Sequence, residues 1–229
     1  MDLEKRLSAA RQDRPAELVF RRAQVANVLT AEIEEVDVAV DDGVVVGLGP
    51  GYEGREVVDL DGAFLVPGFI DAHVHIESSL ATPPEFARAV VPRGTTTVVS
   101  DPHEIANVHG LEGIRYMLEA SEGLPLSVLV MASSCVPATD MGTAGATLDA
   151  EDLMTLADHP RVVGLAEVMN FPGVIHGDAG VLSKIHAFRG SPVDGHAPGV
   201  LGPALNAYVV GGPGSDHECT TVDEALEKL

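Results

Sequence analysis

The chain has 229 residues, 45% of them hydrophobic, with 14 basic against 35 acidic side chains and a formal net charge of −21. It can bury a sizeable core, but aromatics are only 4% and Trp is absent, so aliphatic packing must dominate. A surface this acidic repels phosphate and anionic lipid, which excludes nucleic acid and membranes as partners. Two distant cysteines, Cys135 and Cys219, exclude a disulfide framework or a Cys-rich zinc module. There is no 18-residue apolar span and no apolar core in MDLEKRLSAARQDRPAEL, so a soluble cytoplasmic protein is expected. The acidic residues are spread along the chain and lysines are limited to Lys5, Lys184 and Lys228. Salt should screen that self-repulsion, as in a protein from a halophile.

Residues 1–14 read as a short charged helix. Over 17–61 the runs ELVFRRAQVANV, VDVAVDDGVVVGLG and EVVDLDG are strand-sized, with Asp41-Asp42-Gly43 as a hairpin signal. A first domain at 1–62, helix plus small β-sandwich-like lobe, is therefore expected, followed by a second at 63–229. In the second, strand-like runs at 64–73, 95–103, 126–134, 161–170, 192–198 and 214–218 alternate with helical stretches at 83–94, 110–123, 149–160, 179–190 and 202–212. The last ten residues, TTVDEALEKL, read as one more helix. Arg93-Gly94 and Arg189-Gly190 suit left-handed helix caps. This alternation argues for βα units on a parallel sheet. A closed barrel needs eight strands and about six are legible, so the fold class is α/β: an incomplete (β/α)8 barrel after a β lobe, or an open sheet.

The polar residues repeat at one place. Strand side chains alternate, so Asp71, His73 and His75 of DAHVHIESSL share a face at the end of a strand read as buried. An isolated H-x-H is more often two half-buried histidines bonded to backbone than a metal site. Later strands also end in ligand-type residues, however: Asp101 with His103 and Glu104, then Glu167, then Asp194 and His196, then Asp216, His217 and Glu218. Only 126–134 ends in small polar groups, Ser133, Ser134 and Cys135. Such repetition is what the active end of a βα barrel produces. Imidazole and carboxylate suit Zn, Fe or Mn. Glu167 is a lone carboxylate in an apolar strand, where it needs a partner or a cation, and its two oxygens can bridge two cations. His159, His176 and His186 read as ordinary structural residues, and His109 as a residue near the pocket at most. The triplet His75-Ile76-Glu77 matches H-x-E, but no P-C-x-x-C follows, which excludes the cytidine-deaminase type of zinc site.

Taken together, HVHIESS (73–79), DPHEIANV (101–108), SSCVPAT (133–139), GLAEVMNFPGV (164–174), DGHAP (194–198) and DHECTT (216–221) resemble the adenine deaminase branch of the amidohydrolase superfamily. The resemblance runs from about residue 17 to the C-terminus. It implies a two-metal centre of Mn²⁺ or Fe²⁺, with His73 and His75 on one cation, His196 and His217 on the other, and Glu167 bridging. Glu167 stands where related enzymes carry a carboxylated lysine, which argues against the dihydroorotase- and hydantoinase-like branches. The implied reaction is hydrolysis of adenine to hypoxanthine and ammonia. His103 and Glu104 are candidates for substrate contact or proton relay, with Glu77 and Ser78 behind them. The main proton-transfer aspartate and two further strands belong to a C-terminal half that these residues do not include. The isolated chain is accordingly expected to fold poorly or be inactive without a complementing C-terminal chain. A homo-oligomer, an amidohydrolase of another purine-like or cyclic amide substrate, and a non-catalytic metal-binding fragment are the other expectations.

Overall fold

The structure, a computed structural model, describes residues 2–139 and 141–229, so Met1 at the start of the expected first helix lies outside it. The chain divides into two compact units, Met1–Pro67 and Gly68–Leu229.

In the first unit, helix α1 (Leu3–Ala10) starts at Asp2, whose side chain accepts from the Lys5 N–H. Strands β1 (Ala16–Asn27), β2 (Glu32–Asp41), β3 (Val44–Leu48) and β4 (Gly54–Asp59) form one sheet in the order β3-β2-β1-β4, with the short β5 (Phe64–Leu65) also on β1. The expected sandwich-like lobe is thus a single mixed sheet with α1 against it. Its buried cluster, Ala16, Val19 and Ala39 with Val46 and Tyr52 beside it, is too small to fill the space between two sheets. The Asp-Asp-Gly signal forms the β2–β3 hairpin: Asp42 and Gly43 both have positive φ, +50° and +70°, as a type I′ turn requires.

The apolar run 64–70 does not make one strand. Pro67 has no N–H to continue a ladder, and Gly68 lies so close to Thr96 that a Cβ would come within 2.3 Å of it. The run resumes as β6 (Phe69–Val74), the first strand of the second unit. Helix α2 (Pro83–Val90) leads to β7 (Thr95–Ser100), then α3 (His103–His109) and α4 (Leu111–Ala120) to β8 (Ser127–Ala132). Helix α5 (Ala150–Met154) precedes β9 (Val162–Val168), and α6 (Phe171–His176) and α7 (Ala179–Ala187) precede β10 (Val193–Gly195). Helices α8 (Gly202–Gly211) and α9 (Val222–Lys228) close the chain. The five strands are parallel, in the order β10-β9-β8-β7-β6. Gly94 and Gly190 take positive φ, +96° and +101°.

Two expectations change here. The segment 214–218 runs beside β10 without forming a sixth strand: Gly214 N–H donates to the Val193 carbonyl, while Gly195 N–H is taken by the Ser215 side chain instead of a ladder carbonyl. And β6 is not buried. It is the sheet's edge, and Phe69 and Ile70 are 63% and 68% exposed. The core instead runs along β7, β8 and β9 (Val98, Val128, Val130, Leu165) and is covered by Ile114, Met117 and Leu118 of α4, Ile185 of α7 and Tyr208 of α8. Among the described residues no helix is long and apolar enough to cross a membrane.

Candidate metal centre

Each parallel strand delivers polar groups at its carboxyl end. His73 lies in β6, and His75 follows it. Asp101 follows β7, Ser133 follows β8, Glu167 sits one residue before the end of β9, and His196 follows β10. His217 comes from the irregular segment after α8. Sequence alternation places β6 side chains correctly: the His73 and His75 Nε2 atoms converge to 3.1 Å.

Glu167 is the centre of the arrangement. Its Oε1 lies 3.4 Å from His73 Nε2 and 3.1 Å from His75 Nε2. Its Oε2 lies 2.5 Å from His196 Nδ1 and 3.3 Å from His217 Nε2. One carboxylate oxygen therefore faces the first pair of imidazoles and the other faces the second pair. Glu167 is 2% exposed, whereas the four imidazoles keep 22–28% of their side-chain surface, so the cluster opens on one side. The His73 and His217 rings stack with centroids 3.9 Å apart. Three overlapping groups place their ligand atoms within 4.8 Å of one another: His75, Asp101, His103 and Glu167; His73, Glu167 and His217; His196, His217 and Glu218.

The donor chemistry fits divalent cations. His75 Nδ1 is 2.8 Å from the Asp101 carbonyl oxygen, so it is the protonated nitrogen that donates there. The Nε2 lone pair is then left 3.1 Å from a carboxylate oxygen. Two such electron pairs repel unless a proton or a cation lies between them. The Glu104 carboxylate, 3.4 Å away, and then Glu167 push the His75 pKa up to about 11. Burial opposes ionisation of Glu167, yet hydrogen bonds from His73 and His75 hold it well below the ordinary carboxylate range. No Lys or Arg side chain bonds to Glu167 among the described residues.

A second buried carboxylate supports the first. Asp101, 1% exposed, accepts from Ser133 Oγ at 2.8 Å and from His103 Nδ1 at 2.8 Å. Burial raises its pKa. His103 Nδ1 also lies 3.6 Å from Glu167. Burial lowers the His103 pKa, but Asp101 more than restores it, and the net shift is upward. Glu104 Oε1 accepts from Ser78 Oγ at 2.6 Å, and Glu77 Oε1 accepts from the Ile105 N–H. Glu104 Oε2 is buried without a hydrogen-bond partner, 3.4 Å from His75 Nδ1. Burial works against the Glu104 charge, and His75 and Ser78 nonetheless bring its pKa down to about 2.

The seven residues that the sequence assigns to the cations and to substrate contact or proton relay, His73, His75, His103, Glu104, Glu167, His196 and His217, meet in one place. Asp71 does not join them; it is exposed and accepts from the His73 N–H. Asp194 turns to Ser215, and Asp216 turns to backbone and Lys228. His109, His159, His176 and His186 belong to none of the ligand groups found among the described residues. Sequence reasoning missed the supports of the second pair. Tyr208 Oη accepts from the His196 N–H at 3.0 Å and donates to the Val168 carbonyl at 2.9 Å. Lys184 Nζ holds the Ser134 carbonyl, and Ser134 Oγ holds that of Glu167. A buried tyrosine in the apolar helix GPALNAYVVG was the only available signal.

Imidazole and carboxylate ligands gathered at the carboxyl ends of parallel strands are the layout of the metal-dependent hydrolase folds. The chain belongs to the amidohydrolase family, whose sequence profile matches residues 64–229. It is 57% identical over 215 residues to an adenine deaminase of Cereibacter sphaeroides, covering 94% of this chain and 38% of that protein. It is 52% identical over 225 residues to an adenine deaminase of Desulfatibacillum aliphaticivorans, covering 97% and 39%. The chain thus spans little more than a third of the length of these relatives. Among solved structures it resembles N-acyl-D-glutamate deacylase of Bordetella bronchiseptica in complex with zinc and a phosphonate inhibitor. That match has a TM-score of 0.65 at 17% identity, over 92% of this chain and 53% of that one. A mutant atrazine chlorohydrolase of Arthrobacter aurescens matches with a TM-score of 0.51 at 16% identity, over 87% and 65%. Both likenesses speak for the fold alone.

Proposed function

We propose that this chain is the metal-holding portion of a cytoplasmic adenine deaminase, which hydrolyses adenine to hypoxanthine and ammonia in purine salvage. One observation carries the chemistry: the two oxygens of buried Glu167 are divided between His73/His75 and His196/His217. The substrate comes from the relatives, which are named adenine deaminase at 52–57% identity. We assign His73 and His75 to one cation, His196 and His217 to the other, and Glu167 to both. The choice of Mn²⁺ or Fe²⁺ follows the family resemblance, and the nitrogen and oxygen donor set, without thiolate, is compatible with either. When bound, such cations supply Lewis acidity and lower the pKa of water to near neutrality.

The protein's own groups then manage the protons. Water adds its oxygen to C6 of adenine, one proton reaches N1, the other reaches the exocyclic nitrogen, and the C6–N bond breaks to release ammonia. Glu104, held ionised beside His75, is assigned to substrate contact or proton relay. His103, oriented by Asp101, offers a second proton carrier. The principal aspartate of the transfer is assigned to the part of the adenine deaminase relatives that these residues do not match. The five-stranded sheet supports a second reading, in which the 229-residue chain alone binds metal without turning adenine over.

The test is ammonia release and the adenine-to-hypoxanthine absorbance change with Mn²⁺ present. The chain would be assayed alone, and co-expressed with the C-terminal remainder of the Cereibacter relative. The complemented pair should be active and the chain alone inactive. A folded, metal-loaded pair that leaves adenine intact but hydrolyses another purine-like or cyclic amide would replace the substrate. One that acts on nothing would leave a metal-binding fragment.

A further inference from the structure

Lys228 lies on α9 and is not itself among the candidate ligands, yet its side chain is only 7% exposed. Its ammonium donates to the Ala197 carbonyl at 2.8 Å, to Glu224 Oε1 at 2.8 Å and to Asp216 Oδ2. Ala197 follows His196, and Asp216 precedes His217. The rest of the network doubles that link. Asp216 Oδ1 accepts from the Ala197 N–H at 3.1 Å and from the Glu218 N–H at 3.2 Å. Glu224 accepts from the Gly199 N–H at 2.7 Å and from the Thr220 N–H at 3.0 Å. The segments 196–199 and 216–220 each carry one imidazole of the second pair, and neither belongs to a strand at that point. Among the described residues no β-ladder fixes them; beside the Tyr208 bond to the His196 N–H, this three-residue ion network ties the two segments together.

We propose that Lys228, with Glu224 and Asp216, is the positioning device for the second cation, the one assigned to His196 and His217. The proposal rests on the two-cation reading above. Asp216, Cys219 and Glu224 themselves converge as a ligand-like group, but the Lys228 ammonium supplies their positive charge. The first pair needs no such device, because His73 is held in β6 and His75 by the Asp101 carbonyl. Losing the network should therefore loosen one cation and spare the other. Outer partners of metal ligands typically contribute about 10–100-fold in metal affinity.

The test is Mn²⁺ binding to Lys228→Met by calorimetry and elemental analysis, with the thermal midpoint of the metal-free chain measured alongside. Wild type should hold two Mn²⁺ per chain. The variant should keep the first near its wild-type affinity and bind the second at least about tenfold more weakly. Equal weakening of both, or two unchanged affinities, would overturn the proposal while leaving the two-cation reading intact. A wild-type chain that never binds a pair would overturn that reading and the proposal with it. If Lys228→Met does not fold, Glu224→Gln, which keeps an acceptor for Gly199 and removes one charge, is judged by the same criterion.

Discussion

Asp41 in the first unit and Glu167 in the second are equally hidden, each 2% exposed, yet they face opposite kinds of neighbour. Asp41 meets a permanent cation: both its oxygens accept from the Arg14 guanidinium, and one also takes the Glu17 N–H. Glu167 meets only imidazoles, each of which is neutral unless protonated. A guanidinium closes a charge balance for good, whereas an imidazole cluster leaves it open for something to enter. The first arrangement holds a small sheet together; the second leaves room for the two cations proposed above.

That difference sets the order of expected effects. Glu167→Gln keeps the shape but removes the charge shared by both imidazole pairs. Bound Mn²⁺, read by elemental analysis, should fall from two per chain to one or none, with affinity down by at least about 100-fold. Retention of both ions would remove the contrast. Asp41→Ala should instead cost about 1.5–3 kcal/mol of stability in urea unfolding at pH 7, the range for hydrogen bonds to charged groups, with metal content unchanged. Hydrogen bonds from Arg14 hold the Asp41 pKa below its ordinary value. Its contribution is therefore complete above the unfolded pKa of about 3.9 and is lost as pH falls through the lower folded value. The gap between wild type and Asp41→Ala should shrink below pH 4; a gap that widens there contradicts the assignment. Ser133→Ala removes a donor from buried Asp101 and should cost about 1–3 kcal/mol. The smallest effect is general: with a net charge of −21, the thermal midpoint should rise from 0.1 M to 1 M salt as self-repulsion is screened. A flat midpoint would rule out the salt dependence.

The same contrast explains what the sequence could and could not reveal. His73 and His75 were legible because strand period two puts them on one face, and Glu167 because a single carboxylate interrupts an apolar run. His196 and His217 stood out by repetition at strand ends. Helices α3 and α6 were missed because they are short and begin with Pro102 and with Phe171-Pro172, beside strand ends that already looked polar. The exposure of β6 depends on strand order, which hydropathy does not encode: the residues FI (69–70) look buried and are left at an edge. Lys228 was illegible for a different reason. It lies 12 residues from Asp216 and 31 from Ala197, and no local pattern joins them.

The central claim is that Glu167 bridges two cations. Titrating the chain with Mn²⁺ under electron paramagnetic resonance tests it most directly. The account predicts saturation at two Mn²⁺ per chain with the broadened signal of an exchange-coupled pair. Saturation at one ion, or two ions giving independent six-line spectra, would contradict it.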